Sequence, residues 1–283
     1  MVDWPKALVR ELADRRVLVF VGAGISKAAH PPMPSWSTLI TDLATDLRSK
    51  SDIKLVKSML RNGRMLDAAQ IVSEGIDRTE LNNKLRDTFQ IRPIPPHDLY
   101  KWLLNFDPKI VATTNYDEFI EKNFDRLSGG NEAYSIATHS SNDLIDKLRS
   151  PTRIIIKMHG CVTDVNGLVL DRVSYFKARK KNFGFFRVLE SIFTVNTILF
   201  IGYSISDPDL QLMLENVHMF SENVNGHYAL IEKQEHKSIK RSMKETYNIN
   251  CIEFPSGGFA NVPTYIEELW DDVLDSRNTR GIP

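Results

Sequence analysis

Val17-Leu18-Val19-Phe20-Val21-Gly22-Ala23-Gly24-Ile25-Ser26 decides the fold. Its first five residues are apolar without a break, as in a parallel strand buried on both faces. That run enters a Gly-x-Gly turn, and Ile25 and Ser26 open a short helix. Glycine lets a backbone approach a pyrophosphate with no Cβ in the way. A helix N-terminus adds free N–H groups and partial positive charge. Lys27 stands where the third glycine of a dehydrogenase G-x-G-x-x-G would fall. No G-K-[ST] follows to make a Walker A loop. The loop by itself supports two readings, a tight strand-to-helix turn and a nucleotide-phosphate cradle.

Working outward, five more apolar runs read as strands: 110–113, 154–157, 198–201, 228–231 and 250–254. Helical patterns separate them. Alternation of this kind predicts an α/β fold, a mostly parallel sheet of about six strands with helices on both faces. One interval breaks the rhythm. Between the first strand and Ile110 lie helical spacings over 36–47, 53–60, 65–72 and 80–89. A single crossover helix needs far less chain, so a helical insert after the first strand is expected. Pro93–Pro96 should close it before a helix near 98–104. The expected organisation is one domain over 1–283, with a core of 1–35 and 105–283 and a helical module of 36–104. Leu55, Met59 and Leu66 in that module read as core or interface, with core the expectation. Lys177, Arg179, Lys180 and Lys181 read as a solvated helix face.

Ser35 reads as the N-cap of the helix that begins at Trp36, after the semi-rigid Pro32-Met33-Pro34. A loop leaving the C-terminal edge of the first strand is placed to cover a nucleotide. Three further strand ends carry polar or small residues at the same edge. Thr114-Asn115-Tyr116-Asp117 follows the second strand. The Asn115 amide can donate and accept at once, suiting a ribose hydroxyl or a water. Asp117 reads equally as a helix N-cap or a ligand contact. Lys157-Met158-His159-Gly160 ends the third strand, and His159 can serve as a base near neutral pH or as a structural histidine. Gly202-Tyr203-Ser204 ends the fourth. There Gly202 permits close approach, and Ser204 can bond ribose or phosphate. Asp207-Pro208 reads as N-cap and first residue of the next helix, a structural role.

Thirty-six basic residues balance thirty-six acidic ones in the 283-residue chain, so charge points to no direct nucleic-acid or membrane partner. The first residues lack a signal-peptide pattern, and no apolar run has the roughly 20 residues of a membrane span, so the expectation is a cytoplasmic protein. The two cysteines, Cys161 and Cys251, cannot make a four-cysteine zinc site.

In combination, Gly22-Ala23-Gly24-Ile25-Ser26, Pro34-Ser35-Trp36, Thr114-Asn115-Tyr116-Asp117, Lys157-Met158-His159-Gly160 and Gly202-Tyr203-Ser204 resemble the Sir2 family, and more closely its bacterial Sir2-like branch. The resemblance spans about residues 17 to 210. It implies a Rossmann-like sheet that binds NAD⁺ as substrate and breaks its nicotinamide–ribose bond. It implies that Gly22, Ala23, Gly24 and Ser26 hold the pyrophosphate and that Trp36 lies in the nucleotide site. Asn115 and Asp117 match the family's Asn-x-Asp near the nicotinamide ribose, and His159 its catalytic histidine. Gly202 and Ser204 match its Gly-Thr-Ser segment on the adenosine side, with Tyr203 in place of threonine. Protein deacetylases of the family carry two Cys pairs around a structural zinc, which this sequence lacks.

The reaction so implied is metal-free hydrolysis of NAD⁺ to nicotinamide and ADP-ribose. The biological setting implied is an NAD⁺-depleting effector of antiphage defence. Its expected assembly is a homo-oligomer working with a separate sensor or a HerA-like ATPase, with nucleic acid met through that partner. Two alternatives stand beside it. NAD⁺-dependent deacylation requires nicotinamide release that depends on an acylated peptide. A non-catalytic NAD⁺ or ADP-ribose sensor requires binding without turnover.

Overall fold

The computed structural model describes residues 2–130, 134–220, 226–233 and 236–282. In chain order the elements begin with α1 (Lys6–Ala13), β1 (Val17–Val21) and α2 (Ala23–Ala29). Five helices follow: α3 (Trp36–Leu43), α4 (Lys50–Arg61), α5 (Met65–Gly75), α6 (Arg78–Phe89) and α7 (Asp98–Asn105). Then come β2 (Ile110–Thr113), α8 (Phe119–Leu127), β3 (Tyr134–Thr138), α9 (Leu144–Arg149) and β4 (Arg153–Lys157). The second half holds α10 (Arg172–Lys181), α11 (Phe183–Val195), β5 (Thr197–Ile201), α12 (Pro208–Phe220), β6 (His227–Glu232), α13 (Lys237–Tyr247), β7 (Ile249–Phe254) and α14 (Val262–Arg280).

Among the described residues, seven strands form one sheet in the order β3-β4-β2-β1-β5-β6-β7, and every pairing is parallel. The sequence reading counted six. It missed β3, whose Tyr-Ser-Ile-Ala-Thr is an edge strand with a single fully buried position, Ala137. An edge strand covered on one side needs no continuous apolar run.

β1 shows why its sequence is apolar throughout. Val17, Val19 and Val21 enter one core with α1, α7 and α14, while Leu18 and Phe20 enter the other with α11 and α12. Alternate side chains serve opposite faces, and each fully buried one contributes about 1.5–3 kcal/mol. Ser35 caps α3 through the Thr38 N–H, as its sequence position predicts. Leu66 is buried and Met59 packs against the core, but Leu55 is 45% exposed. The inward position of α4 is Val56, and one residue along a helix turns the side chain by about 100°. Lys177, Lys180 and Lys181 are exposed on α10. Among the described residues, no helix is long and apolar enough to cross a membrane.

Candidate active site at the centre of the sheet

Strand order reverses at β1, which lies between β2 and β5. Open parallel sheets hold ligands outside the carboxyl ends of their strands at such a point. A cavity of about 340 Å³ lies there, bounded by Ala23, Gly24 and Ser26 after β1, by 114–117 after β2, by His159 after β4 and by Gly202, Tyr203 and Ser204 after β5. Its outer wall comes from Met33 in the loop before the insert and from Trp36, Leu39 and Phe89 of the insert. The size and mixed lining suit a small organic ligand.

Of the residues singled out from sequence, Gly22 does not line this cavity; it is buried behind the turn. Its N–H donates to Ile201 O at 2.9 Å, and the Gly24 N–H donates to Gly202 O at 2.9 Å. A Cβ on Gly22 would stand 2.3 Å from Gly202 O, and one on Gly24 would stand 2.8 Å from it. Gly202 itself has φ +64°, and a Cβ there would stand 2.7 Å from the Ile25 side chain. The glycines therefore lock the ends of β1 and β5 together. Two of the amides that sequence reasoning offered to a phosphate are committed to this lock, so Gly24 lines the cavity with its N–H already bonded, beside Ala23 and Ser26.

The β1 and β2 ends meet in one hydrogen-bonded set. The Asn115 Nδ2 donates to Ser26 Oγ at 3.0 Å, and the Ser26 hydroxyl donates to Asp117 Oδ2 at 2.8 Å. Asp117 Oδ1 accepts the Phe119 N–H at 3.0 Å. The cap position of α8 itself is Glu118, but Asp117 accepts the first N–H of that helix and it also lines the cavity. Thr113 sets the turn, donating to Val21 O at 2.7 Å and accepting the Asn115 N–H at 3.0 Å. Beneath lies Tyr100, fully buried close to Ser26 and Asp117, its phenol pushed well above the ordinary range by burial and then by Asp117. Its hydroxyl makes no hydrogen bond of good geometry among the described residues.

Lys157, wholly buried on β4, supports this set from below. Its ammonium donates to Asp117 O and to Glu121 Oε1, the latter at 2.6 Å. Burial is the largest influence and opposes the charge, but Glu121, Cys161 and Asp117 together outweigh it, and Lys157 titrates above its ordinary range.

His159 belongs to a second set. Its Nδ1 is 3.5 Å from the Tyr175 hydroxyl and its Nε2 is 3.6 Å from Asp207 Oδ2. The Tyr175 hydroxyl donates to Asp207 Oδ2 at 2.5 Å, and Asp207 Oδ1 accepts the Leu210 N–H at 2.9 Å. Burial pushes the His159 imidazole below its ordinary value, Asp207 pulls it up, and His139 pushes it down. Net, the ring is neutral near pH 7 and able to accept a proton. Asp207 is the N-terminal cap that sequence predicted, but it also lines the cavity, which sequence did not predict. Tyr175 was missed as well. It stands mid-helix in α10 with no motif around it.

Trp36 stacks on Tyr175, ring centres 6.4 Å apart, and its buried indole N–H meets no acceptor among the described residues. The Tyr203 ring turns inward against Phe20 at 4.8 Å, and burial raises its phenol. Ser204 is exposed at the rim, its Oγ 2.7 Å from Ser206 Oγ. Among the described residues no group of three or more His, Cys, Asp or Glu side chains is placed to hold a metal. Cys161 and Cys251 are free thiols.

These features define a class first: a parallel α/β protein whose small-molecule cleft opens at the reversal of its sheet, with an amide and an imidazole on adjacent strand ends. The chain belongs to the SIR2-like domain family, which matches residues 109–252. That span holds Asn115, His159 and Asp207 and leaves the glycine loop outside. The chain is similar to the NAD(+) hydrolase ThsA of Acinetobacter baumannii, at 24% identity over 94% of this chain and 53% of that protein. ThsA of Enterococcus faecium is 27% identical over 81% of this chain and 46% of its own length. Defense-associated sirtuin 2 of Bacillus subtilis is 23% identical over 79% of this chain and 21% of its own length. The chain thus spans about half the length of the NAD(+) hydrolases it matches.

Proposed function

We propose that this chain is an NAD⁺ hydrolase that cleaves the nicotinamide–ribose bond to give nicotinamide and ADP-ribose. One observation carries the reading. Asn115 and His159 stand at the ends of adjacent strands and face a single cavity, within a chain similar over most of its length to proteins named NAD(+) hydrolases. Ala23, Gly24 and Ser26 would hold the pyrophosphate, with Gly22 acting from behind as the lock. Trp36 and Asp117 would flank the nicotinamide half, and Gly202, Tyr203 and Ser204 the adenosine half.

In this mechanism the bond from ribose C1′ to the pyridinium nitrogen breaks, and its electron pair neutralises the departing nicotinamide. The oxocarbenium-like ribose is met by a water that Asn115 orients. His159 accepts a proton from that water or from a ribose hydroxyl, so one proton is released per turnover. General-base help of this kind is worth about 10²–10⁴ in rate. The residues required all belong to this chain, and no step calls on a metal.

The same reading treats residues 1–283 as one domain, with 36–104 a helical module that supplies the outer wall. An NAD⁺-depleting role in antiphage defence, a homo-oligomeric state and a separate activating partner such as a sensor or ATPase are part of the proposal. The name of one relative, defense-associated sirtuin 2, supports the defence role; the oligomeric state and the partner rest on the family resemblance alone.

The test is nicotinamide release by the purified chain, alone and with its candidate partner. Asn115→Ala and His159→Ala should each lower kcat by at least about 10²-fold. If both keep full activity, the assignment fails. Activity should also fall in acid as His159 takes up a proton, with its midpoint below the ordinary imidazole value because burial leads the shift.

A further inference from the structure

We propose that Asp207, held by the Tyr175 hydroxyl, is the positioning carboxylate of His159: it orients the imidazole and balances the charge that the ring gains on accepting a proton. The inference rests on the hydrolase reading of the same cavity and adds two residues to it.

Three separate elements bring the groups together. His159 follows β4, Tyr175 lies on α10 and Asp207 opens α12. Tyr175 has one hydroxyl proton, and at 2.5 Å it is given to Asp207 Oδ2. Towards His159 Nδ1, at 3.5 Å, the phenol oxygen can then act as an acceptor. The carboxylate oxygen, 3.6 Å from His159 Nε2, is an acceptor as well. The same edge of the ring therefore faces two acceptors. A neutral imidazole carries one N–H and an imidazolium two, so this edge favours the charged form as it develops. Catalytic contacts of this length can tighten in the substrate complex.

Neither partner can swing away. Asp207 is tied through Oδ1 to the Leu210 N–H, and Tyr175 is stacked on Trp36. Helix capping uses one carboxylate oxygen and does not account for the second, which is buried against Tyr175 and His159. A buried carboxylate is costly unless each oxygen is bonded, and here the bonds lead to the candidate base. The titratable groups that face His159 are Asp207 from α12, Tyr175 from α10 and His139 from the end of β3. Asp207 favours protonation, whereas His139 opposes it.

The decisive variant is Asp207→Asn, which keeps size and a capping oxygen but removes the charge. Tyr175→Phe removes the hydroxyl. Two readouts are needed: nicotinamide release, as kcat and KM across pH, and the NMR titration of the His159 ring, assigned by its loss in His159→Ala. Asp207→Asn should lower kcat by about 10²-fold, near the lower end of general-base effects, with KM within about twofold. The acid limb of kcat and the His159 titration should both move to lower pH. Tyr175→Phe should do the same more weakly, by about tenfold in kcat, and it carries the test if Asp207→Asn does not fold.

Unchanged kcat and an unmoved titration in a folded Asp207→Asn would overturn the proposal and leave the hydrolase reading intact. A raised KM at constant kcat would also overturn it, assigning Asp207 to ligand contact. If the unmodified protein releases no nicotinamide with or without partner, the hydrolase reading fails separately. The His159 titration still decides the pairing: a downward shift in Asp207→Asn sustains it and no shift rejects it.

Discussion

Two polar sets meet at one cavity, and they are built differently. Ser26, Asn115 and Asp117 follow β1 and β2, which are paired neighbours, and they bond to one another at 3.0 and 2.8 Å. His159, Tyr175 and Asp207 come from a strand end and two helices. Here one tight bond joins tyrosine to aspartate, and the histidine stands off at about 3.5 Å. The first set is bonded throughout by its own members, which suits the ribose-holding role proposed for it. The second has slack around the group that must change protonation. Under the proposed function, this contrast would separate holding from proton transfer within one pocket.

The largest expected effect breaks the support of the first set. Lys157→Met leaves Glu121 buried without its cation, next to an Asp117 carbonyl that has lost its donor. Breaking one partner of a buried pair costs about 3–5 kcal/mol. Urea unfolding should show that loss, and Glu121→Leu in the same chain should recover much of it. Equal stability of Lys157→Met and the parent would mean that the pair is not the floor of the holding set.

A smaller effect comes from cutting the holding set at its middle. Ser26→Ala removes the hydroxyl that accepts from Asn115 and donates to Asp117. Two buried groups lose a partner, and the expected stability loss is about 1–3 kcal/mol. The comparison makes a sharper claim about activity. Ser26→Ala should raise KM for NAD⁺ and leave the acid limb of kcat in place, because His159 belongs to the other set. A moved acid limb would mean that the two sets act as one.

The same contrast explains what was legible in the sequence. Asn115, Asp117 and His159 each follow a buried apolar run within a few residues, and a parallel sheet puts such residues at one edge. Chain proximity to a strand end was a sufficient signal. Tyr175 and Phe89 reach the cavity from helices, where one aromatic in an amphipathic stretch looks like any core residue. Asp207 was visible as a cap, but its second oxygen depends on where α10 packs, which no local pattern encodes. β3 escaped because an edge strand lacks the continuous apolar run of the centre. The glycines were read for a ligand, whereas Gly22 and Gly202 first serve each other, a contact between residues 180 positions apart.

The smallest effect tests whether the proton-transfer set also shapes its surroundings. Asp209 lies two residues beyond Asp207 on α12, with Arg179 at 3.4 Å. Burial first, and Asp207 in addition, lift its carboxyl from 3.8 to about 6, against the pull of Arg179. The folded protein therefore holds this proton up to about pH 6, while the unfolded chain releases it near 3.8. Folded chains bind more protons across that window, so stability rises as pH falls from 6 towards 4 and is lowest above 6. Asp209→Asn removes the penalty. It should stabilise the protein by about 1 kcal/mol above pH 7, after allowance for solvent screening of a partly exposed group, and by nothing near pH 4. Melting temperatures of both proteins at pH 4, 6 and 8 measure the difference. A gain that persists at pH 4 would assign it to packing and would remove the electrostatic link between Asp209 and the carboxylate beside His159.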